Sequence, residues 1–182
     1  MEKTIILDAQ RVSDSIRKIS DQILQKHQLG QDVVLVGIRT GGAFLAARLQ
    51  KTMGALDGPP PPLGIVDITL YRDDWTRMAP TPVVGKTDLP FSLDDKIVIL
   101  VDDVLFTGRT VRAAMDALID YGRPRKIELA ILADRGVENR ELPIMANYVG
   151  GVWDTTPEET INVYLEEEGF EDHVAIEKKE TP

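Results

Sequence analysis

Apolar residues along this chain follow two patterns that alternate. Short apolar runs predict strands, and apolar residues spaced three or four apart predict amphipathic helices. Helical spacing covers residues 8–28, where Asp8 is a candidate N-cap and Gly30 a candidate stop. Further helices are predicted over residues 43–53 and 111–119, and strands over residues 33–38, 65–71, 97–101, 127–133, 144–152 and 161–165. This alternation predicts an α/β fold, with a parallel sheet core flanked by helices.

The most informative stretch lies in the middle of the chain. An apolar run ends in two adjacent carboxylates, Asp102 and Asp103, and a short loop with Thr107, Gly108 and Thr110 leads into a helix. The first N–H groups of a helix are unpaired and attract a phosphate, and the two hydroxyls can donate to phosphate oxygens. Carboxylates accept from sugar hydroxyls or bind a Mg²⁺ ion that a phosphate carries. A solvated turn is the simpler interpretation of either piece, but the order of the pieces favours a phosphorylated sugar.

A second strand–loop–helix unit lies upstream of this motif. The apolar run over residues 33–38 leads directly into a short glycine-containing loop before the next predicted helix, and that loop consists of Arg39, Thr40, Gly41 and Gly42. Two glycines between a strand and a helix commonly permit no more than a tight turn. A ligand with a diphosphate would nevertheless need a second anion site of this kind.

The segment from about residue 71 to residue 91 is rich in Thr, Pro, Gly and charge and shows little periodicity. It could be an ordinary long hairpin. Loops of this length in a compact domain are more often functional, and we expect a flexible lid hairpin here. Downstream, residues 166–182 form an acidic tail that we expect to be solvated or frayed.

Composition narrows the classes of protein that need be considered. The chain has 182 residues and no cysteine, which predicts a single domain without disulfides, zinc–thiolate sites or a cysteine nucleophile. The absence of a long apolar run and of a signal pattern predicts a cytoplasmic protein.

Of the net charge of −9, residues 158–182 carry −7, so the body of the chain is nearly neutral. Overall charge therefore gives no support for a nucleic-acid partner, although a local basic face is compatible with it.

The central motif closely resembles the phosphoribosyl pyrophosphate (PRPP) motif of type I phosphoribosyltransferases. Residues 99–124 read ILVDDVLFTGRTVRAAMDALIDYGRP, and the similarity extends to VGIRT at 36–40, DITLYRDD at 67–74 and RELPI at 140–144. Together these motifs resemble the pyrimidine operon regulatory protein family, and the resemblance covers residues 5 to about 150. Members of that family are bifunctional uracil phosphoribosyltransferases that also attenuate transcription by binding mRNA.

The resemblance implies a role for each matching residue. Asp102 and Asp103 would meet the ribose hydroxyls of PRPP, Arg72 would lie near the pyrophosphate, and Mg²⁺ carried by PRPP would lie near the two carboxylates without direct protein ligation. The loop that would hold the 5′-phosphate and ribose comprises Val104, Leu105, Phe106, Thr107, Gly108, Arg109 and Thr110. The pyrophosphate would contact Arg39, Thr40, Gly41 and Gly42, in a loop that often carries a strained or cis peptide. The uracil pocket would contain Asp134, Arg135 and Gly136, within a small hood over residues 134–165. The family also forms dimers and larger homo-oligomers.

Several positions depart from the family pattern. Gly41 stands where the family has an arginine, and the hood segment carries two inserted residues and lacks a histidine. Further departures lie at Ser20, Asp21, Met145, Gly151 and Val152, and these positions include basic residues of the family's RNA-binding face. We expect catalysis to survive these changes, with altered handling of pyrophosphate, and RNA binding to be weakened.

The leading hypothesis is therefore an enzyme that converts uracil and PRPP to UMP and pyrophosphate, with a pyrimidine leader mRNA as a possible further partner. One alternative is a non-enzymatic RNA-binding regulator that senses PRPP or uridine nucleotide. Another is a phosphoribosyltransferase for a different base, because the PRPP motif does not select the base. A phosphorelay receiver is set aside, since its acidic pair follows the first strand and is not followed by a Thr-Gly loop.

Overall fold

The computed structural model describes residues 2–27, 32–74 and 85–178, and these residues form two sheets and three α-helices. A five-stranded parallel sheet has the strand order β3-β2-β4-β5-β6, and a three-stranded antiparallel sheet has the order β1-β8-β7. The helices are α1 (Ala9–Lys26), α2 (Gly41–Leu56) and α3 (Arg109–Tyr121). The strands are β1 (Lys3–Leu7), β2 (Val33–Ile38), β3 (Leu63–Val66), β4 (Ile97–Leu105), β5 (Lys126–Asp134), β6 (Tyr148–Val152), β7 (Glu159–Tyr164) and β8 (His173–Lys178).

The parallel sheet forms the centre of the molecule, and both of its faces are covered. Helices α1 and α2 pack with the antiparallel sheet against one face, and α3 packs against the other. Every residue of β2 is buried, as expected for a strand covered on both sides. The predicted α/β fold with a parallel sheet flanked by helices is confirmed.

The predicted helices agree with the structure except at their ends. Asp8 caps α1, and its carboxylate accepts a hydrogen bond from the Arg11 backbone N–H at 2.9 Å. The helix ends at Lys26, and the candidate stop at Gly30 lies outside the described residues. Helix α2 begins two residues earlier than predicted, since both loop glycines join its first turn.

The strand predicted over residues 65–71 is wrong beyond Val66. There the chain turns, because the Asp67 carboxylate accepts hydrogen bonds from the backbone N–H groups of Thr69 and Gly85, each at 3.0 Å. The strand predicted over residues 144–152 likewise begins only at Tyr148. Before it, residues 144–146 pack Ile144 and Ala146 against the α3 side of the sheet.

The expectation of a solvated or frayed tail is also wrong. Strand β8 lies within the acidic segment, where Val174 and Ala175 are fully buried, and it pairs with both β1 and β7. The antiparallel sheet therefore joins β7, which lies within the predicted hood over residues 134–165, to strands from both terminal segments of the chain. The surrounding acidic residues concealed this strand, whose short apolar run over residues 174–176 is flanked by polar side chains, of which Glu177 pairs with Lys3.

Two further points concern the chain as a whole. Residues 75–84 of the predicted lid lie outside the described residues. In the part of the chain that the structure describes, no helix combines the length and apolar character needed to cross a membrane.

Candidate active site

The carboxyl ends of β2, β3 and β4 meet at one edge of the parallel sheet, where open α/β sheets bind ligands. They enclose a cleft of about 270 Å³. Its lining consists of Ile38, Arg39, Thr40, Gly41, Asp67, Ile68, Thr69, Arg72, Asp102, Asp103, Val104 and Thr110. The fold thus brings together residues of both predicted anion-binding loops, the acidic pair and Arg72, which lie far apart in the sequence.

The acidic pair lies at the end of β4, which continues through both carboxylates. Asp102 is 6% exposed, and its Oδ1 accepts from the Asp103 backbone N–H at 3.0 Å. Asp103 in turn accepts from the Val104 backbone N–H at 2.8 Å. Burial, together with the negative charge of Asp103, raises the pKa of Asp102 well above its usual range. A cation or a set of hydroxyl donors placed here would therefore stabilise the ionised form of Asp102.

The loop after β2 packs directly against this acidic pair. The peptide bond between Arg39 and Thr40 is cis. A Cβ atom on Gly42 would lie 2.4 Å from the Val101 carbonyl oxygen, so only glycine fits between α2 and β4. A Cβ atom on Gly41 would lie 2.5 Å from Asp103 Oδ2. Gly42 thus serves the packing of the loop, whereas Gly41 leaves room for the Asp103 carboxylate within the cleft.

Arg39 and Arg72 line the cleft, and each forms a hydrogen bond with a residue near one end of the predicted lid. Arg39 Nη2 donates to the Lys86 carbonyl oxygen at 2.8 Å. Arg72 makes a bidentate pair with Asp74, with both N–O distances at 2.8 Å. Both guanidinium groups are partly exposed, so they can contact an anion in the cleft without a large desolvation cost.

The loop after the acidic pair meets the amino end of α3. Gly108 precedes the helix with a φ of 90°, a left-handed conformation that favours glycine. Thr107 Oγ1 accepts from the Arg109 backbone N–H at 3.3 Å, and the Thr110 side chain lines the cleft. Leu105 is buried in the core, and Phe106 is 41% exposed. The Arg109 side chain points away from the cleft toward carboxylates of the lid root and the hood.

The residues expected to bind uracil do not line this cleft. Asp134 and Gly136 border a separate, mostly apolar cavity of about 510 Å³ beside residues 137–146. Arg135 is 4% exposed, and its guanidinium lies 3.7 Å from the centre of the Phe106 ring. It also donates to the Glu159 carbonyl oxygen at 2.7 Å. The Arg135 guanidinium therefore packs against the Phe106 ring and does not face an open pocket.

Sequence reasoning missed two polar residues of the cleft, Asp67 and Thr69. Both follow β3, and the same argument that selected the ends of β2 and β4 would have found them. The misplaced strand over residues 65–71 concealed them, because it put the end of the strand at Tyr71 instead of Val66.

Comparison with known proteins agrees with this geometry. Residues 2–159 match the phosphoribosyl transferase domain family. The chain is 50% identical over 178 residues to the bifunctional protein PyrR of Desulfosudis oleivorans, covering 97% of both chains. It is 48% identical over 180 residues to the bifunctional protein PyrR of Bacillus cereus, covering 98% of this chain and 99% of that one.

Among solved structures, the fold resembles a hypoxanthine-guanine phosphoribosyltransferase from Bacillus anthracis. The TM-score is 0.70 at 18% identity, covering 96% of this chain and 98% of the other. A hypoxanthine phosphoribosyltransferase from Staphylococcus aureus gives a TM-score of 0.66 at 23% identity, covering 87% and 80%. These likenesses support the fold, and the family follows from the domain match and the PyrR relatives. The chain is a phosphoribosyltransferase that belongs to the PyrR family of bifunctional proteins.

Proposed function

We propose that this chain converts uracil and PRPP to UMP and pyrophosphate. The observation that carries the proposal is the single cleft in which the acidic pair, Arg72, the cis-peptide loop and the start of α3 meet. Such a cleft offers carboxylates for a ribose and donors for phosphates on either side of it. The preference for uracil rests on the resemblance to the pyrimidine operon regulatory proteins.

Each group has a defined task in the proposed reaction. Asp102 and Asp103 would accept from the ribose hydroxyls, and the backbone N–H groups at the start of α3 would hold the 5′-phosphate with Thr107 and Thr110. Arg39 and Arg72, on the opposite side of the pair, would stabilise the negative charge that develops on the departing pyrophosphate. The bond from the anomeric carbon to pyrophosphate breaks as the bond to the uracil nitrogen forms, so no covalent nucleophile is required.

A magnesium ion carried by PRPP fits the donor set of the cleft. Asp102 and Asp103 would lie near the ion, and the raised pKa of Asp102 reflects a negative charge that a cation would stabilise. Within residues 2–27, 32–74 and 85–178, no cluster of three or more His, Cys, Asp or Glu side chains could hold a metal. Phosphate oxygens of PRPP and water would therefore supply the ligands, without direct protein ligation. The bound ion would neutralise charge on the leaving pyrophosphate.

The position of the nucleobase is part of the proposal. Asp134 and Gly136 border the cavity beside the loop before α3. A different cavity, of about 520 Å³, lies between β7 and the Asp103–Val104 pair and adjoins the ribose site directly. We propose that uracil is recognised on the side of Asp134, as the family motif implies, and a larger effect of Asp134→Asn on the KM for uracil than on the KM for PRPP would support this placement.

Regulation by RNA is the second function that the family suggests. The outer face of α1 carries Asp21, and Met145 is 79% exposed where the family has a basic residue. Apolar and acidic side chains do not neutralise RNA phosphates. We propose that binding of a pyrimidine leader mRNA is weak in this protein and that the homo-oligomer typical of the family is retained.

The proposal is tested by measuring pyrophosphate release from PRPP with Mg²⁺ in the presence of uracil, orotate, hypoxanthine, guanine or no base. We expect turnover with uracil and its loss in Asp103→Asn, which keeps the shape of the side chain. Turnover with another base would refute the uracil assignment. Binding of PRPP without turnover would refute the enzymatic proposal and favour a sensor. A salt-dependent gel shift with leader RNA, with and without UMP, tests the second function.

A further inference from the structure

Residues 140–142, a short segment of the predicted hood, donate hydrogen bonds to the loop that precedes α3, and we call them the bracing segment. The Thr107 carbonyl oxygen accepts hydrogen bonds from the backbone N–H groups of Glu141 at 3.0 Å and Leu142 at 3.2 Å. The Phe106 carbonyl oxygen accepts from Arg140 Nη1. Two successive carbonyl groups of the loop therefore point toward the bracing segment.

The orientation of these carbonyl groups fixes the orientation of the next two N–H groups. In a planar trans peptide the C=O and N–H bonds point in opposite directions. The Phe106 carbonyl shares its peptide plane with the Thr107 N–H, and the Thr107 carbonyl shares its plane with the Gly108 N–H. Both N–H groups are therefore directed away from the bracing segment, in the part of the loop proposed to hold the 5′-phosphate.

Arg140 differs from the rest of the bracing segment because its contact with the loop is made by a side chain. That side chain is only 10% exposed, and Nη2 donates to Asp134 Oδ1 at 2.6 Å. Its buried Nε finds no hydrogen-bond partner among the described residues. Burying a charged group is costly unless its contacts compensate. The rigid guanidinium joins the end of β5, through Asp134, to the loop at the end of β4, through Phe106.

We propose that Arg140 is a positioning residue for the phosphate site, holding the peptide after Phe106 so that the Thr107 N–H faces the 5′-phosphate of PRPP. Arg140 does not line the cleft that would hold PRPP, although it borders the cavity beside Asp134, so it acts on PRPP only through the loop. The inference rests on the proposed phosphoribosyltransferase function. The Thr107 carbonyl keeps its two backbone donors whatever residue stands at position 140, so a substitution of Arg140 should loosen the site without abolishing it.

The test measures dissociation constants for ribose 5-phosphate and for inorganic pyrophosphate separately, by calorimetry on the full chain. Arg140→Met should weaken ribose 5-phosphate about tenfold or more, equivalent to about 1.4 kcal/mol, and change pyrophosphate by less than about twofold. Arg140→Lys can contact either Asp134 or the Phe106 carbonyl but not both, so its loss should be smaller. Arg112→Met is the matched control, because Arg112 is half-exposed on α3 and pairs with Asp116, four residues along the same helix.

A second readout follows the contacts between the loop and the bracing segment. Hydrogen exchange at the Glu141 and Leu142 amides, which donate to the Thr107 carbonyl oxygen, should accelerate in Arg140→Met and stay unchanged in Arg112→Met. Equal binding of ribose 5-phosphate by wild type and Arg140→Met would overturn the inference, as would an equal loss of both ligands. If the Met variant does not fold, the same comparison with Arg140→Lys decides. Failure of the wild type to bind either ligand would instead refute the proposed function.

Discussion

Replacing Glu128 should destabilise the protein more than any other single change at its charged residues. The Glu128 side chain is fully buried at the amino end of β5, below the end of α1. Its Oε1 lies 2.8 Å from Lys26 Nζ and 2.7 Å from Lys126 Nζ. Its Oε2 lies 2.8 Å from His27 Nε2 and 2.5 Å from the Tyr148 hydroxyl. His27, which its place near the end of α1 predicts to be a surface residue, is thus mostly buried against this carboxylate.

The expected loss can be estimated from these contacts. Hydrogen bonds to a charged group contribute about 1.5–3 kcal/mol each, which applies to those from His27 and Tyr148. The two lysine side chains are about half-exposed and regain water, so each adds no more than about 1 kcal/mol. Relief from burying the carboxylate offsets part of this sum. Glu128→Ala should therefore lower the free energy of unfolding by about 3–5 kcal/mol, the range for breaking a buried ion pair.

Urea denaturation at neutral pH measures this quantity, with Tyr148→Phe as a control that removes a single hydrogen bond to the carboxylate and should cost about 1.5–3 kcal/mol. A loss below about 1 kcal/mol for Glu128→Ala would refute the reasoning. The pH dependence gives an independent check. Burial opposes ionisation, but Lys126, Lys26, Tyr148 and His27 together hold the pKa of Glu128 below its usual value. Its contribution is therefore complete above the unfolded pKa of about 4.3 and is lost as the pH falls through the lower folded pKa, and Glu128→Gln should remove that dependence.

Three further predictions follow from other contacts. Gly41→Ala places a Cβ atom 2.5 Å from Asp103 Oδ2 and should displace that carboxylate. The KM for PRPP should therefore rise about threefold to tenfold, and an unchanged KM in steady-state assays would contradict this. Arg48→Met removes the ion pairs that connect α2 to Glu167 and Asp172. It should lower the free energy of unfolding by about 1–2 kcal/mol, which calorimetry would record as a lower Tm, and an unchanged Tm would show that these pairs contribute nothing. Asp134→Asn should raise the KM for uracil by a larger factor than the KM for PRPP, which also rises because Arg140 loses its carboxylate partner, and equal effects on both would place the base elsewhere.

The local signals in the sequence were sufficient for the parallel sheet and for the chemistry at the end of β4. A short apolar run such as Val33–Ile38 is typical of a strand buried on both faces, and apolar residues at helical spacing form the buried stripe of α1. The order of strand, acidic pair, Thr-Gly loop and helix is local as well. These features depend on residues that are close in sequence, so periodicity and motif order were enough to predict them.

Contacts between distant segments could not be predicted in this way. Strand β8 is a strand because β1 and β7 flank it, and its acidic composition concealed the buried Val174 and Ala175. Asp67 enters the cleft because β3 ends at Val66, which is decided by a carboxylate that binds an N–H group 18 residues away. Arg140 faces the loop before α3 from across the hood.

The strands of the parallel sheet, the acidic pair and the Thr-Gly loop could therefore be predicted, since each depends on neighbours along the chain. The identity of the polar groups that surround the cleft, and of those that pack behind it, became clear from the folded arrangement. That arrangement depends on how burial and hydrogen bonding are satisfied between segments far apart in the sequence, and the local pattern of residues contains no record of those pairings.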